Sequence, residues 1–203
     1  MRLQPVFLLS ATDASHFPFE SKTHGAPEIA FLGRSNVGKS SLINALLGSK
    51  EARVSSTPGR TRAINFFALH EVAGGKPRVV PAMIFADLPG YGYAKISKSI
   101  SAEWPKFIEP YLAERETLAL CVCLVDTNIP PQPSDGQLIT YLKQTQRPFV
   151  VVGTKADRLS NNVLAKNLAA LKREHGVEEI LPVSSKTEAG VKVLWQRLMT
   201  AAE

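Results

Sequence analysis

The chain has 203 residues, 44% hydrophobic and 21% charged, a balance that suits one globular domain with a sizeable core and excludes a disordered or fibrous chain. Its net charge of +6 and pI near 9.4 have the sign expected for a polyanionic partner. No apolar run approaches the ~18 residues of a membrane helix, and Val6-Phe7-Leu8-Leu9 is too short for a signal-peptide core, which predicts a cytoplasmic protein with no membrane span.

In chain order, residues 1–27 hold turn formers and few periodic positions and read as an N-terminal arm able to supply an edge strand. Residues 28–203 read as a single domain. Its first core strand is 28–32, followed at once by Gly33-Arg34-Ser35-Asn36-Val37-Gly38-Lys39-Ser40. That stretch satisfies G-x-x-x-x-G-K-[ST] between a buried strand and a helix, the setting the phosphate-binding loop requires. The helix places Leu42, Ala45 and Leu46 on one face and stops at Gly48. Residues 49–62 have no helical or strand period and form a long polar loop.

Residues 63–72 and 78–86 read as two strands joined at Gly74-Gly75, an antiparallel hairpin whose second strand ends in Asp87-Leu88-Pro89-Gly90. The runs 118–126 and 149–153 are continuous and rich in β-branched residues, as parallel strands covered on both faces are. Cys121 and Cys123 lie two apart in the first of these, so they share one side as buried free thiols and suit a reducing compartment. Helical segments near 99–116, 134–145 and 160–175 alternate with the strands, with Pro105 and Pro110 making the first irregular. A short strand at 180–183 and a helix from about 190 complete the order. The alternation predicts an α/β fold with a mostly parallel six-stranded sheet, one antiparallel edge strand and helices on both faces.

Ligand-binding residues in such sheets gather at the carboxyl ends of strands. There the loop amides can meet a diphosphate, Lys39 the β- and γ-phosphates, and Ser40 a Mg²⁺ ion. Asp87 can hold Mg²⁺ through water, and the Gly90 N–H can meet a γ-phosphate. Thr154-Lys155-Ala156-Asp157 and Val183-Ser184-Ser185 follow two later strands. The Asp157 carboxylate offers two acceptors to the two donors on guanine's N1 and N2 edge and would stay unpaired against adenine. Lys155 can lie along the base, and an N–H near Ser185 can donate to guanine O6. The residue after Gly90 is Tyr91, whose phenol cannot orient an attacking water as a carboxamide would.

The motifs Gly33 to Ser40, Thr57-Pro58-Gly59-Arg60-Thr61, Asn65-Phe66-Phe67, Asp87 to Lys95 and Thr154 to Asp157 resemble those of the EngB family, also called YihA or YsxC, among the translation-factor-like GTPases. The resemblance implies a P-loop GTPase domain that binds GTP or GDP with Mg²⁺ and acts in large ribosomal subunit assembly, with a link to division septation. It implies a monomer whose partner is ribosomal RNA rather than DNA. By position it makes Thr61 the threonine that closes on Mg²⁺ and the γ-phosphate, with Gly59, Arg60, Thr61, Arg62 and Ala63 covering the nucleotide. Lys39, Thr61, Gly90 and Asn36 become the residues on which turnover depends.

Related GTPases with an asparagine at position 36 use K⁺ to supply charge; the alternative is an asparagine that favours a left-handed turn. Thr154 replaces the usual asparagine, and the segment Thr127-Asn128-Ile129-Pro130-Pro131 departs from the Ala-Arg-His-like run of relatives. Slow intrinsic turnover is expected, accelerated by a partner. Arg53, Arg60, Arg62, Lys95 and Lys98 are candidates for a salt-sensitive RNA surface. A binding module acting directly at the septum with little turnover is the competing expectation.

Overall fold

A computed structural model describes residues 2–48, 63–91 and 106–203. In chain order the strands are β1 (Leu3–Ala11), β2 (Glu28–Gly33), β3 (Ile64–Ala73), β4 (Lys76–Pro77), β5 (Met83–Asp87), β6 (Leu118–Asp126), β7 (Phe149–Thr154) and β8 (Leu181–Pro182). The helices are α1 (Glu20–Thr23), α2 (Lys39–Leu47), α3 (Ile108–Glu114), α4 (Pro133–Gln144), α5 (Asn161–His175) and α6 (Val191–Ala201).

The eight strands form one sheet in the order β1-β3-β5-β2-β6-β7-β8, with β4 paired to β3. Pairs β2–β5, β2–β6, β6–β7 and β7–β8 are parallel, and β3 runs antiparallel to both β5 and β1. The sheet therefore has the mixed, mostly parallel character expected, with eight strands instead of six. The reversed strand is not at the edge, because β1 covers it.

Two apolar layers flank the sheet, and the period-two alternation of β2 divides them. Ile29 and Phe31 pack with Leu42, Ile43, Leu46 and Leu47 of α2 and Leu194 and Leu198 of α6. Ala30 and Leu32 face the other way, toward Tyr111 and Leu112 of α3, Leu138 and Leu142 of α4 and Leu171 of α5. Cys121 and Cys123 are buried free thiols that belong to this second layer, on one side of β6 as their spacing requires. The buried face of α2 is wider than expected, since Ile43 and Leu47 join Leu42 and Leu46 while Ala45 is only half-buried.

The second strand of the hairpin begins at Met83 rather than 78. Val79 and Val80 have strand-like side chains, yet they are 81% and 52% exposed. Pro81 has no N–H to give the ladder, so regular pairing resumes only beyond it. Helix α3 begins at Ile108; the earlier part of the expected helix, 99–105, lies outside the described residues.

Candidate functional site

Strand β2 delivers its chain to a loop that turns twice through left-handed backbone, at Asn36 (φ 64°) and Gly38 (φ 106°), before α2 begins at Lys39. A φ of 106° suits glycine alone, so Gly38 is fixed by conformation. Asn36 adopts the left-handed turn that asparagine tolerates, and its side chain is exposed. Val37 is buried in the α2 layer and anchors the loop between these turns.

The Asp87–Gly90 turn is seated on this loop. Arg34 and Tyr91 form a parallel bridge; Ser35 N–H donates to the Tyr91 carbonyl at 2.9 Å, and Tyr91 N–H donates to the Gly33 carbonyl at 3.4 Å. A Cβ on Gly90 would lie 2.9 Å from Ser35 Oγ and 3.0 Å from its backbone nitrogen, so only glycine permits this approach. Leu88 and Pro89 are buried, with the Leu88 side chain in the core, which leaves this turn its backbone and the Asp87 carboxylate as site-facing groups.

Lys39 Nζ pairs directly with Asp87 Oδ1. Ser40 follows Lys39 in the first turn of α2 and is half-buried. Among the described residues no cluster of three or more His, Cys, Asp or Glu is arranged for a metal. The donor set here is one hydroxyl and one carboxylate, both hard oxygens. That suits Mg²⁺, which takes few protein ligands and completes its shell with water and phosphate oxygens.

At the ends of β7 and β8 the polar groups are tied together. Thr154 Oγ1, in a buried side chain, lies 2.6 Å from the Val37 carbonyl and 3.2 Å from the Val125 carbonyl. Its hydroxyl thus joins the phosphate loop to β7, which explains how a threonine serves at a position where an amide is common. Lys155 has a left-handed backbone (φ 59°), and its ammonium donates to the Asn36 carbonyl at 2.8 Å and to Asp126 Oδ2 at 2.6 Å. Burial alone would raise the Asp126 carboxyl, but Lys155 and the two Asn128 donors outweigh it and hold it below the usual carboxylate range.

Asn128 also donates to the Lys155 carbonyl at 3.1 Å and so braces the Thr154–Asp157 segment. Asp157 is exposed, with Oδ1 accepting from Ser184 Oγ at 2.7 Å. Ser184 in turn accepts from Lys186 N–H and Thr187 N–H, and Ala156 N–H donates to the Val183 carbonyl. Ser185, beside this knot, is half-buried.

Tyr91 does not face the site. Its ring is 2% exposed and its hydroxyl donates to Asp135 Oδ1 at 3.1 Å, deep under α4. Burial and the neighbouring Asp135 push the phenol well above its usual range. Arg34 Nε comes within 3.4 Å of the same Asp135 oxygen but is a buried N–H without a hydrogen-bond partner. Burial pushes the Asp135 carboxyl up to about 6 against the opposing pull of Arg34 and Tyr91.

Sequence reasoning did not single out Asp126 as a site residue, although it ends a core strand as Asp87 does. It also passed over Asp135, because an acid in the first turn of a helix looks like an ordinary dipole partner. Ala63 is half-buried and leads into β3. Gly59, Arg60, Thr61 and Arg62, like Arg53, Lys95 and Lys98, lie outside the described residues.

A family model described as "50S ribosome-binding GTPase" matches residues 28–155. The chain is 62% identical over 202 residues to a probable GTP-binding protein EngB of Acidobacterium capsulatum, covering 100% of this chain and 92% of that protein. A crystal structure of a probable GTP-binding protein EngB superposes with a TM-score of 0.64 at 23% identity, over 86% of this chain and 98% of that one. A structure of Era in complex with MgGDPNP and part of 16S ribosomal RNA superposes at 0.67 with 23% identity, over 87% of this chain and 57% of that one. The phosphate loop, the seated Asp87–Gly90 turn and the Thr154–Asp157 segment thus sit on a P-loop GTPase fold, and the chain belongs to the EngB family of GTP-binding proteins.

Proposed function

We propose that this protein is a slow GTPase that acts in the cytoplasm as a nucleotide-dependent switch in assembly of the large ribosomal subunit, and that normal cell division depends on it through that role. The observation that carries the reading is the convergence of Gly33–Ser40, Asp87–Gly90, Thr154–Asp157 and Ser184 at the carboxyl ends of neighbouring strands. The family description and the RNA complex of Era support a ribosomal partner. The net charge of +6 has the matching sign.

In this reading the amides of Gly33, Arg34, Ser35, Asn36, Val37 and Gly38 cradle the phosphates, and Lys39 moves its charge from Asp87 to the β- and γ-phosphates. Ser40 and Asp87, with Thr61, hold Mg²⁺, which when bound neutralises charge gathering on the phosphate oxygens. Gly90 N–H reads the γ-phosphate, and its release after hydrolysis frees the segment that follows. Asp157, oriented by Ser184, selects guanine. Turnover is slow because the residue after Gly90 is turned into the core, so no side chain at that position orients the attacking water. Asn36 offers an exposed amide beside the phosphates for K⁺.

The test is co-sedimentation with ribosomal subunits in the GDP, GDPNP and nucleotide-free states across a salt series. Binding to the large subunit in one nucleotide state, weakening steeply with salt, is expected. No association in any state removes the ribosomal role. Hydrolysis measured with and without those particles, in potassium and in sodium, checks the slow basal rate and the part assigned to Asn36.

A further inference from the structure

We propose that Asp135 is a positioning residue for the γ-phosphate end of the site: one of its oxygens holds the Arg34 and Tyr91 side chains together and so fixes the Gly90 backbone against the phosphate loop. The proposal rests on the reading of Gly90 as the γ-phosphate contact.

Arg34 and Tyr91 are neighbours in the seam that seats the Asp87–Gly90 turn on the loop, through the parallel bridge and the Ser35-to-Tyr91 hydrogen bond. Their side chains leave that seam for the same place. Tyr91 Oη reaches Asp135 Oδ1 at 3.1 Å, and Arg34 Nε approaches the same atom at 3.4 Å. Asp135 belongs to α4, an element that contributes no residue to the nucleotide site itself. Gly90 is one residue from Tyr91, and Ser35, which Gly90 touches, is one residue from Arg34. A shift of Asp135 is therefore a shift of the seam on both sides.

The cost of this arrangement argues that it is not there for packing. Asp135 is 2% exposed, and a buried carboxylate is expensive unless its lone pairs are filled. Here the shortfall lies on the other side of the pair, since Arg34 Nε is buried and makes no hydrogen bond. Cys123 and Asp126 of β6 share the surroundings and raise no positive charge, and His175 of α5 packs on Gly136, the next residue. An apolar residue would fill the space at lower cost. A partly bonded charge contact changes steeply with small movements of either partner. That property suits a support for a backbone group that must meet one phosphate oxygen.

The experiment uses the full chain with Asp135→Asn, Tyr91→Phe and the pair together, reading the affinity for GDPNP and for GDP separately. Asp135→Asn keeps the shape but removes the charge that holds Arg34. It should weaken GDPNP about tenfold, while GDP stays within about twofold. The double variant should be no worse than Asp135→Asn alone, because both act through one oxygen. Equal losses for the two nucleotides, no loss for either, or additive losses would overturn the proposal. A wild-type chain that binds both nucleotides without ever hydrolysing GTP would sink the GTPase reading, and the affinity ratio would still decide the role of Asp135.

Discussion

Two buried clusters in this molecule each join a carboxylate to an arginine and a tyrosine, and they reach opposite states. At the amino end of β2, Glu28 is fully buried and accepts from Tyr111 Oη at 2.9 Å, from Arg115 at 2.8 and 2.5 Å, and from Thr117 Oγ1 at 2.8 Å. At the carboxyl end of the sheet, Asp135 has one Tyr91 hydroxyl bond and an Arg34 contact that falls short of one. The first cluster is saturated. It also fastens the N-terminal segment, since Arg115 donates to the Pro18 carbonyl at 2.9 Å and lies over the Phe17 ring. The second leaves a buried donor, Arg34 Nε, without an acceptor and sits under the phosphate loop. A carboxylate with arginine and tyrosine is thus a lock when every donor is paired and an adjustable support when one is not.

The largest effect should come from opening the lock. Glu28→Ala leaves the Arg115 charge without its buried partner and should cost about 3–5 kcal/mol, read as a lower urea midpoint. A loss below about 1 kcal/mol would mean that the saturated cluster is no stronger than a surface pair, and the contrast would collapse.

The second effect has the opposite sign. The folded-state pKa of Asp135 is raised from 3.8 to about 6, so its contribution to stability is fully present below about pH 4 and is lost as pH rises through 6. The difference in unfolding free energy between wild type and Asp135→Asn should therefore move in favour of the variant across that window, by up to about 3 kcal/mol. A difference independent of pH would show that the carboxylate is not strained by its burial.

The smallest effect comes from the two phenols. Tyr111→Phe leaves a buried carboxylate oxygen unpaired and should lower stability by about 1–3 kcal/mol. Tyr91→Phe removes the hydroxyl from a cluster already short of bonds, and its stability loss in parallel melts should be the lesser of the two. The reverse order would mean that the Tyr91 hydroxyl, and not the Arg34 contact, carries the second cluster.

Much of this architecture was legible in the sequence wherever the signal is local. The apolar run before Gly33, the loop pattern and Asp87 at the end of its strand need only a few consecutive residues to be read. The reversed strand and the order of helices followed in the same way. What was hidden depends on pairs far apart. The Thr154 hydroxyl meets a carbonyl 117 positions away, and nothing near Thr154 announces it. Tyr91 was read only as a phenol unable to orient water, and its inward turn onto Asp135, 44 positions away, comes from the fold. The irregularity between Phe7 and Leu9 blurs the alternation of β1 and so concealed the length of that strand. Val79 and Val80 misled in the other direction, because side-chain preference for strands yields to the missing donor of Pro81.

Glu28 has a further consequence while the chain is being made. It opens the apolar strand Ile29-Ala30-Phe31-Leu32, whose sheet neighbours are β5 and β6, and its arginine partner lies 87 residues downstream. Until that partner and the β6 segment just after it emerge, this apolar strand lacks its neighbour on the β6 side and is prone to association there. An ionised, hydrated glutamate at its head acts through that interval as a gatekeeper against premature pairing. The same charge becomes the keystone once Tyr111, Arg115 and Thr117 arrive, so a residue that protects the nascent chain also receives the segment that leads into β6.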